Sequence, residues 1–298
     1  MPKLFECALN FSEGRRPEVI EALVGAARGA GAQVLDVAPN PDHHRTVLSL
    51  VGTAEVVEEA VRAVTAEALQ RIDMNAHRGA HPRMGAVDVV PVVPLGEATM
   101  DDAVALARRI GARLAREFEL PVFLYEEAAS RPERRNLAEV RRGEFEGLAE
   151  RLAQPGWQPD FGPARPHPTG GAVAVGARTF LVAFNVNLGT ADVQVARQVA
   201  RAVRAKSGGL ASVKAIGLEL AGRHQVQVSM NIVDPFATPL YRAFELVRIE
   251  AARYGVPIVG SEIVGLIPMA ALAEVARYYL RLEGFGDSQV LESRLWGA

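Results

Sequence analysis

Apolar residues fall into short runs separated by glycine, proline and charged clusters, and the runs alternate between strand-like and helical periods. Residues 3–10 form a run of strand length, and residues 17–28 space Val19, Ile20, Leu23 and Val24 as one helix face behind Pro17. Gly29 and Gly31 end that helix. Strands over 33–37 and 46–51 flank a Pro/Asn/Asp turn at 39–42, a hairpin pattern. A helix over 54–71, a polar loop, a strand over 87–93 and an Ala/Arg-rich helix over 100–118 complete a β-α-β-β-α-β-α order. The second half has strand 180–187, helix 191–206, strands 213–218 and 225–232, helix 239–254 and strand 257–267. Ala8-Leu9-Asn10-Phe11 and Ala183-Phe184-Asn185-Val186 leave their strands alike, so the spacing predicts an internal pseudo-repeat. The fold class is α+β, an α/β sandwich of two ferredoxin-like βαββαβ subdomains, each an antiparallel sheet with helices on one face.

Residues 158–171 carry prolines at 159, 163, 166 and 168 and glycines at 162, 170 and 171, which no helix or central strand tolerates. The track reads either as a domain linker or as a stiff segment that presents backbone groups to a ligand at small entropic cost.

Charge narrows the function. Of 298 residues, 33 are Lys or Arg and 35 Asp or Glu, a formal net charge of −2. Binding along a phosphate backbone needs a cationic surplus, so a nucleic-acid partner is not expected. The single cysteine, Cys7, excludes a disulfide framework and multi-thiolate zinc, and points to a reducing cytoplasmic compartment. The first thirteen residues lack a signal-peptide pattern, and no apolar run approaches the ~20 residues of a membrane span.

The densest polar constellation is the loop Asp73-Met-Asn-Ala-His77-Arg-Gly-Ala-His81-Pro-Arg83-Met-Gly85. Pro82 biases His81 toward an extended backbone, which offers its ring from a loop. An imidazole with an unperturbed pKa of ~6.5 can take and return a proton there; the bland alternative is a hydrogen-bonded structural histidine. His77 and His81 have the spacing of a zinc pair, but Gly79 and Pro82 oppose a helix, so no metal is expected. His43 and His44 read as an exposed polar turn, His167 as part of the proline track, and His224 as structural. Arg45, Arg83 and Arg178 stand at strand ends, where a guanidinium can grip a carboxylate through two hydrogen bonds or simply face water. Asn10, Asn185 and Asn187, at strand exits, suit a heterocycle's edge or backbone capping. Walker, Rossmann, nucleophile-elbow and zincin motifs are absent. Glu126 and Glu127 are adjacent on an extended chain and point opposite ways.

Several stretches carry a resemblance: Asn10-Phe-Ser-Glu-Gly14, Arg45-Thr-Val47, Ile72-Asp-Met74, His81-Pro-Arg-Met-Gly-Ala86 and Asp88. Further on come Glu127-Ala-Ala129, Arg141, Gly143-Glu144, Pro159-Asp-Phe-Gly-Pro163, Gly176-Ala-Arg178, Ala183-Phe-Asn185, Gln227-Val-Ser229 and Val264-Gly-Leu-Ile-Pro268. On these, the chain resembles the glutamate formimidoyltransferase (glutamate formiminotransferase) family nearly end to end. The resemblance implies transfer of a formimino group from N-formimidoyl-glutamate to N5 of tetrahydrofolate, a co-substrate, in histidine degradation and one-carbon metabolism. It implies subdomains over 1–179 and 180–298 with sheets facing each other and helices outside, a cytoplasmic homodimer, and no metal. The family's catalytic histidine matches His81. Its folate loop matches Gly162, Pro163, Ala164, Arg165, Pro166, His167, Pro168, Thr169, Gly170 and Gly171. Ala38 stands where the family sets an acidic residue near the histidine, leaving Asp36 or Asp42 as substitutes.

The reaction suits these residues. One proton must leave the attacking amine and one must reach the departing glutamate nitrogen, which one imidazole can manage. Arg45, Arg83 and Arg178 are the candidates for the anionic substrate groups. Two other readings keep the folate site: an ATP-dependent 5-formyltetrahydrofolate cyclo-ligase, and a non-catalytic folate-binding module. Helix residues 103–116, rich in alanine, are the expected surface for a second copy.

Overall fold

In the computed structural model, which describes residues 2–41, 43–79 and 81–296, the first apolar run is strand β1 (Leu4–Phe11) and the first amphipathic run is helix α1 (Pro17–Gly29). Strands β2 (Gln33–Asn40) and β3 (Arg45–Gly52), helix α2 (Ala54–Arg71), strand β4 (Val87–Leu95), helix α3 (Met100–Phe118) and strand β5 (Val122–Glu126) follow. Two short helices, α4 (Leu137–Val140) and α5 (Leu148–Leu152), precede strand β6 (Val173–Ala177). These elements form one compact unit, Met1–Arg178.

Its sheet runs β2-β3-β1-β4-β6-β5. The first four strands pair antiparallel in the ferredoxin-like order, whereas β4–β6 and β6–β5 pair parallel. The sheet is therefore mixed, a departure from the wholly antiparallel expectation. Strand β6 escaped the sequence pattern because it is central and buried on both faces, so it shows no alternation. Phe5, Cys7, Leu9 and Phe11 of β1, with Leu48 and Leu50 of β3, pack into the core shared with α1, α2 and α3. Ala103, Ala107 and Gly111 of α3 are buried and serve close packing of helix on sheet, so they are not available to a second copy, whereas Ala105 of the same helix is exposed. A capping box between Thr99 and Asp102 starts this helix.

The opposite sheet face divides. Over β4, β6 and β5 it is covered by a second cluster that joins Val89, Ala174, Phe123 and Tyr125 to Val140, Leu148 and Leu152 of α4 and α5. Toward β1 and β3 it turns polar, with Glu6, Asn10, Arg45 and Ser49 on alternate positions.

The proline track belongs to this unit and ends seven residues before its last residue, so it does not link the units. Asp160 Oδ2 accepts from Leu124 N–H of β5 (2.8 Å) and pairs with Arg134 (2.6 Å). Phe161 C=O accepts from Val122 N–H at 2.9 Å. Gly162 has φ +88°, and a Cβ there would sit 2.2 Å from the Leu120 carbonyl oxygen, so both the turn and the approach demand glycine.

The second unit, Thr179–Ala298, contains β7 (Val182–Leu188), α6 (Val193–Val203), β8 (Val213–Leu220), β9 (Gln225–Ile232), α7 (Leu240–Ala252) and β10 (Ile258–Val264). Helices α8 (Met269–Leu280) and α9 (Leu291–Trp296) follow. Its four-stranded sheet, β10-β7-β9-β8, is antiparallel and has the strand order of β4-β1-β3-β2, the repeat read from the sequence. Val182, Phe184, Val186 and Leu188 pack with α6 and α7 into the unit's own core. The other face carries Asn185, Asn187, Gln227 and Glu262, which bond one another: Asn185 and Gln227 donate to Glu262 at 3.0 Å, and Gln227 to Asn187 at 2.9 Å.

Arg134 is fully buried between Phe123 and Trp157, with Asp160 as its carboxylate. Asp160→Ala strands that charge and also frees the start of the proline track; the expected loss is about 3–5 kcal/mol in urea denaturation.

Candidate functional site

The polar end of the first sheet is where three segments meet. The loop between α2 and β4 is tied to the end of the proline track: Met74 N–H donates to Thr169 C=O (2.9 Å), Asn75 Nδ2 to Pro168 C=O (2.9 Å) and Ala86 N–H to Gly170 C=O (3.0 Å). His167 and Gly171 exchange backbone hydrogen bonds, and His167 Nδ1 accepts from Gly170 N–H at 2.9 Å. His167 thus closes the turn of the track, while Arg165 faces outward toward Glu119 at 3.3 Å. Ser12, at the exit of β1, holds the same loop through Gly85 C=O (2.7 Å) and Ala86 C=O (2.8 Å).

The β2–β3 turn forms the second wall. A Cβ on Gly79 would lie 2.3 Å from His43 C=O, so glycine alone lets the loop rest on this turn. His77 Nε2–H donates to His44 C=O at 2.8 Å, and Arg83 Nε donates to His77 Nδ1 at 3.2 Å, which fixes one neutral tautomer. The His44 ring stacks on His77 with centroids 4.3 Å apart, and its Nδ1 accepts from Gly14 N–H at 3.2 Å. Burial is the main cause that pushes both imidazoles below their ordinary pKa. The turn is therefore not the exposed one expected of His43 and His44: it is packed under the loop.

Glu13, wholly buried, braces this wall. Its Oε1 accepts from the N–H groups of Gly14, Arg15 and Arg16 at 2.8–3.0 Å, the last three residues before α1. Burial pushes its carboxyl up, but the bonds from Arg15 and Arg16 outweigh that and hold it below the usual range.

His81 lies at the centre. Its Nε2 is 2.8 Å from Arg45 Nη1, and a guanidinium has donors only, so Nε2 is the acceptor and Nδ1 carries the proton. Among the described residues, that buried Nδ1 has no hydrogen-bond partner. Asp36 therefore does not orient His81, and Asp42, the other carboxylate expected to do so, lies outside the described residues. The His43 ring stands 5.6 Å away, centroid to centroid. Burial, then the charges of Arg45 and Arg141, push the His81 imidazole down to about 3. The ring is neutral at every physiological pH, with its one lone pair held by Arg45.

Among the described residues Arg45 bonds neutral acceptors, His81 and Asn10 Oδ1 (3.3 Å), and its buried Nε is unpaired. Burial and the neighbouring Arg141 pull its pKa down to about 10. Arg141 is ion-paired with buried Asp88, whose other oxygen accepts from Met84 N–H at 2.9 Å. Two guanidiniums with one committed carboxylate make a place that favours an anion.

The remaining sequence candidates lie elsewhere. Arg83 is committed to Glu144 (2.9 Å) and Glu146 (2.6 Å), so a substrate carboxylate would have to displace two of the protein's own. Arg178 stands beside Glu6 and Tyr125 on the same unit. Asn185 and Asn187 belong to the second unit's amide network. His224 occupies the β8–β9 turn at φ +51°. Reasoning on single residues missed Arg141 and Asp88 as site members; their signal was a motif match without a role attached. No group of three or more His, Cys, Asp or Glu among the described residues is arranged to hold a metal ion.

The family model described as formiminotransferase domain, N-terminal subdomain, matches residues 4–178, and the model described as formiminotransferase domain matches residues 183–292. The chain is 46% identical to a glutamate formimidoyltransferase of Streptococcus pyogenes serotype M1, with 100% of each chain covered. It is 45% identical to one from Thermoplasma acidophilum, covering 98% of this chain and 97% of that one. Against the formimidoyltransferase-cyclodeaminase of Rattus norvegicus it is 43% identical over 94% of this chain and 53% of the relative.

The lowered pKa of His81 has a consequence for stability. Its folded value of about 3 lies below the unfolded ~6.5, so the unfolded state binds the extra proton and stability falls as pH drops below 6.5. In urea titrations between pH 6.5 and 5, His81→Asn is expected to flatten that fall by up to ~1.4 kcal/mol per pH unit, one proton's worth.

Proposed function

Because the chain belongs to the formiminotransferase family, we propose that it transfers the formimino group of N-formimidoyl-glutamate to N5 of tetrahydrofolate, releasing glutamate and 5-formimidoyl-tetrahydrofolate. The observation that carries this reading is the neutral His81 imidazole with its lone pair beside a buried guanidinium that bonds no carboxylate among the described residues. The imidazole removes the proton of the folate N5 as the N5–carbon bond forms. It returns that proton to the glutamate nitrogen as the old carbon–nitrogen bond breaks. Arg45 and Arg141 supply positive charge for the donor's carboxylate.

In this reading residues 162–171 hold the folate. Its support is that residues 168–170 are hydrogen-bonded to both ends of the loop that bears His81. A track fixed by proline and by these bonds presents its backbone with little ordering left to do. Among the described residues no helix is long and apolar enough to cross a membrane. The reading includes a cytoplasmic setting and a pairing of two copies, the latter checked by sedimentation.

Supplying N-formimidoyl-glutamate and tetrahydrofolate, and following folate absorbance, tests the activity directly. Turnover without ATP is expected; turnover only with 5-formyltetrahydrofolate and ATP would move the chain to a cyclo-ligase. His81→Ala is expected to lower kcat by about 10²- to 10⁴-fold while tetrahydrofolate binding stays within about twofold. Unchanged kcat would remove His81 from the chemistry.

A further inference from the structure

We propose that Arg45 is a carboxylate-operated cap on His81: at rest its guanidinium occupies the imidazole lone pair, and the carboxylate of the incoming formimino donor draws it away. The proposal rests on the formimino-transfer reading and adds to it a gating step.

The geometry of the resting site carries it. The only nitrogen of His81 able to accept a proton is Nε2, and that atom is 2.8 Å from Arg45 Nη1. The ring is therefore a base whose lone pair is already engaged. The guanidinium, for its part, is poorly matched. It is largely buried, its second acceptor is the neutral amide oxygen of Asn10 at 3.3 Å, and its Nε has no partner among the described residues. A carboxylate offers the guanidinium two charge-assisted bonds, each roughly twice as strong as a neutral one. Exchange of an imidazole for a carboxylate is then downhill for Arg45.

The same exchange alters His81. The groups that face the ring are Arg45 from β3, Arg141 from the segment after α4 and His43 from the β2–β3 turn, with Asp88 of β4 already paired to Arg141. Asp88 acts on Arg45 only through space, its oxygens being taken by Arg141 and Met84 N–H, and among the described residues no carboxylate bonds the Arg45 guanidinium directly. Once a substrate anion neutralises Arg45, the imidazole loses a direct donor and the nearest positive charge together, so its basicity rises. The base is released only when the formimino donor is bound, and the proton of the folate N5 then moves to Nε2 and on to the glutamate nitrogen.

Nitrogen NMR on the full chain with ¹⁵N-labelled histidine tests this, with L-glutamate, the carboxylate product, as probe. Without it, His81 is expected to show an unprotonated, hydrogen-bonded Nε2 and no titration above pH 5. Saturating L-glutamate is expected to raise its midpoint by about one pH unit or more. Arg45→Gln is expected to raise the midpoint without glutamate, to make it insensitive to glutamate, and to increase KM for the formimino donor about ten- to hundredfold with little change for tetrahydrofolate. A His81 signal that glutamate leaves in place, in protein that turns over, overturns the cap and spares the function. Absence of turnover in the wild-type protein removes the function and the cap with it. The wild-type comparison needs no variant, so misfolding of Arg45→Gln leaves the cap just as exposed to refutation.

Discussion

A guanidinium buried against an imidazole, with no carboxylate bonded to it among the described residues, is the constraint around which the first unit's polar face is arranged. Burying Arg45 costs solvation that a salt bridge would ordinarily offset. Here the direct bonds go to neutral acceptors while Asp88 acts through space, and burial, then the charges of Arg45 and Arg141, keep His81 unprotonated. Both groups have a proton affinity below the one they have in water, a condition typical of groups in a functional site.

The rest of the site follows from the need to hold that pair still. The antiparallel ladder brings Asn10 of β1 and Arg45 of β3 to the same face, since Asn10 registers with Val47, two residues from Arg45. The loop that carries His81 is anchored by Ser12, by the end of the proline track and by the His43–His44 turn, and Gly79 permits the last contact. His77 illustrates the contrast. It has the same side chain and lies four residues from His81, yet both of its nitrogens are satisfied, one by His44 C=O and one by Arg83. His81 instead sets its Nε2 on a charged donor, Arg45, and not on a backbone carbonyl.

Local pattern made the amphipathic elements legible: α2 and α3 occupy the residues their periodicity marks, and the two-fold βαββαβ order reappears as the same order in the second sheet and in four strands of the first. Strand β6 was not legible, because a five-residue strand buried on both faces carries neither alternation nor length. His81 and Arg45 were visible as residue types in telling places, but their contact was not, since 36 positions separate them in the chain. Arg141 and Asp88 are 53 positions apart, and only the fold unites them. The burial of His43 and His44 was misjudged for a related reason: a polar turn reads as exposed unless the loop that covers it is known to return.

Chemical rescue reaches the central claim, that the His81 imidazole moves the proton in formimino transfer. In His81→Gly, supplied with N-formimidoyl-glutamate and tetrahydrofolate, free imidazole is expected to restore turnover in a saturable manner, with substituted imidazoles acting in order of their basicity. Tetrahydrofolate binding that is intact while no imidazole restores any rate would contradict the account.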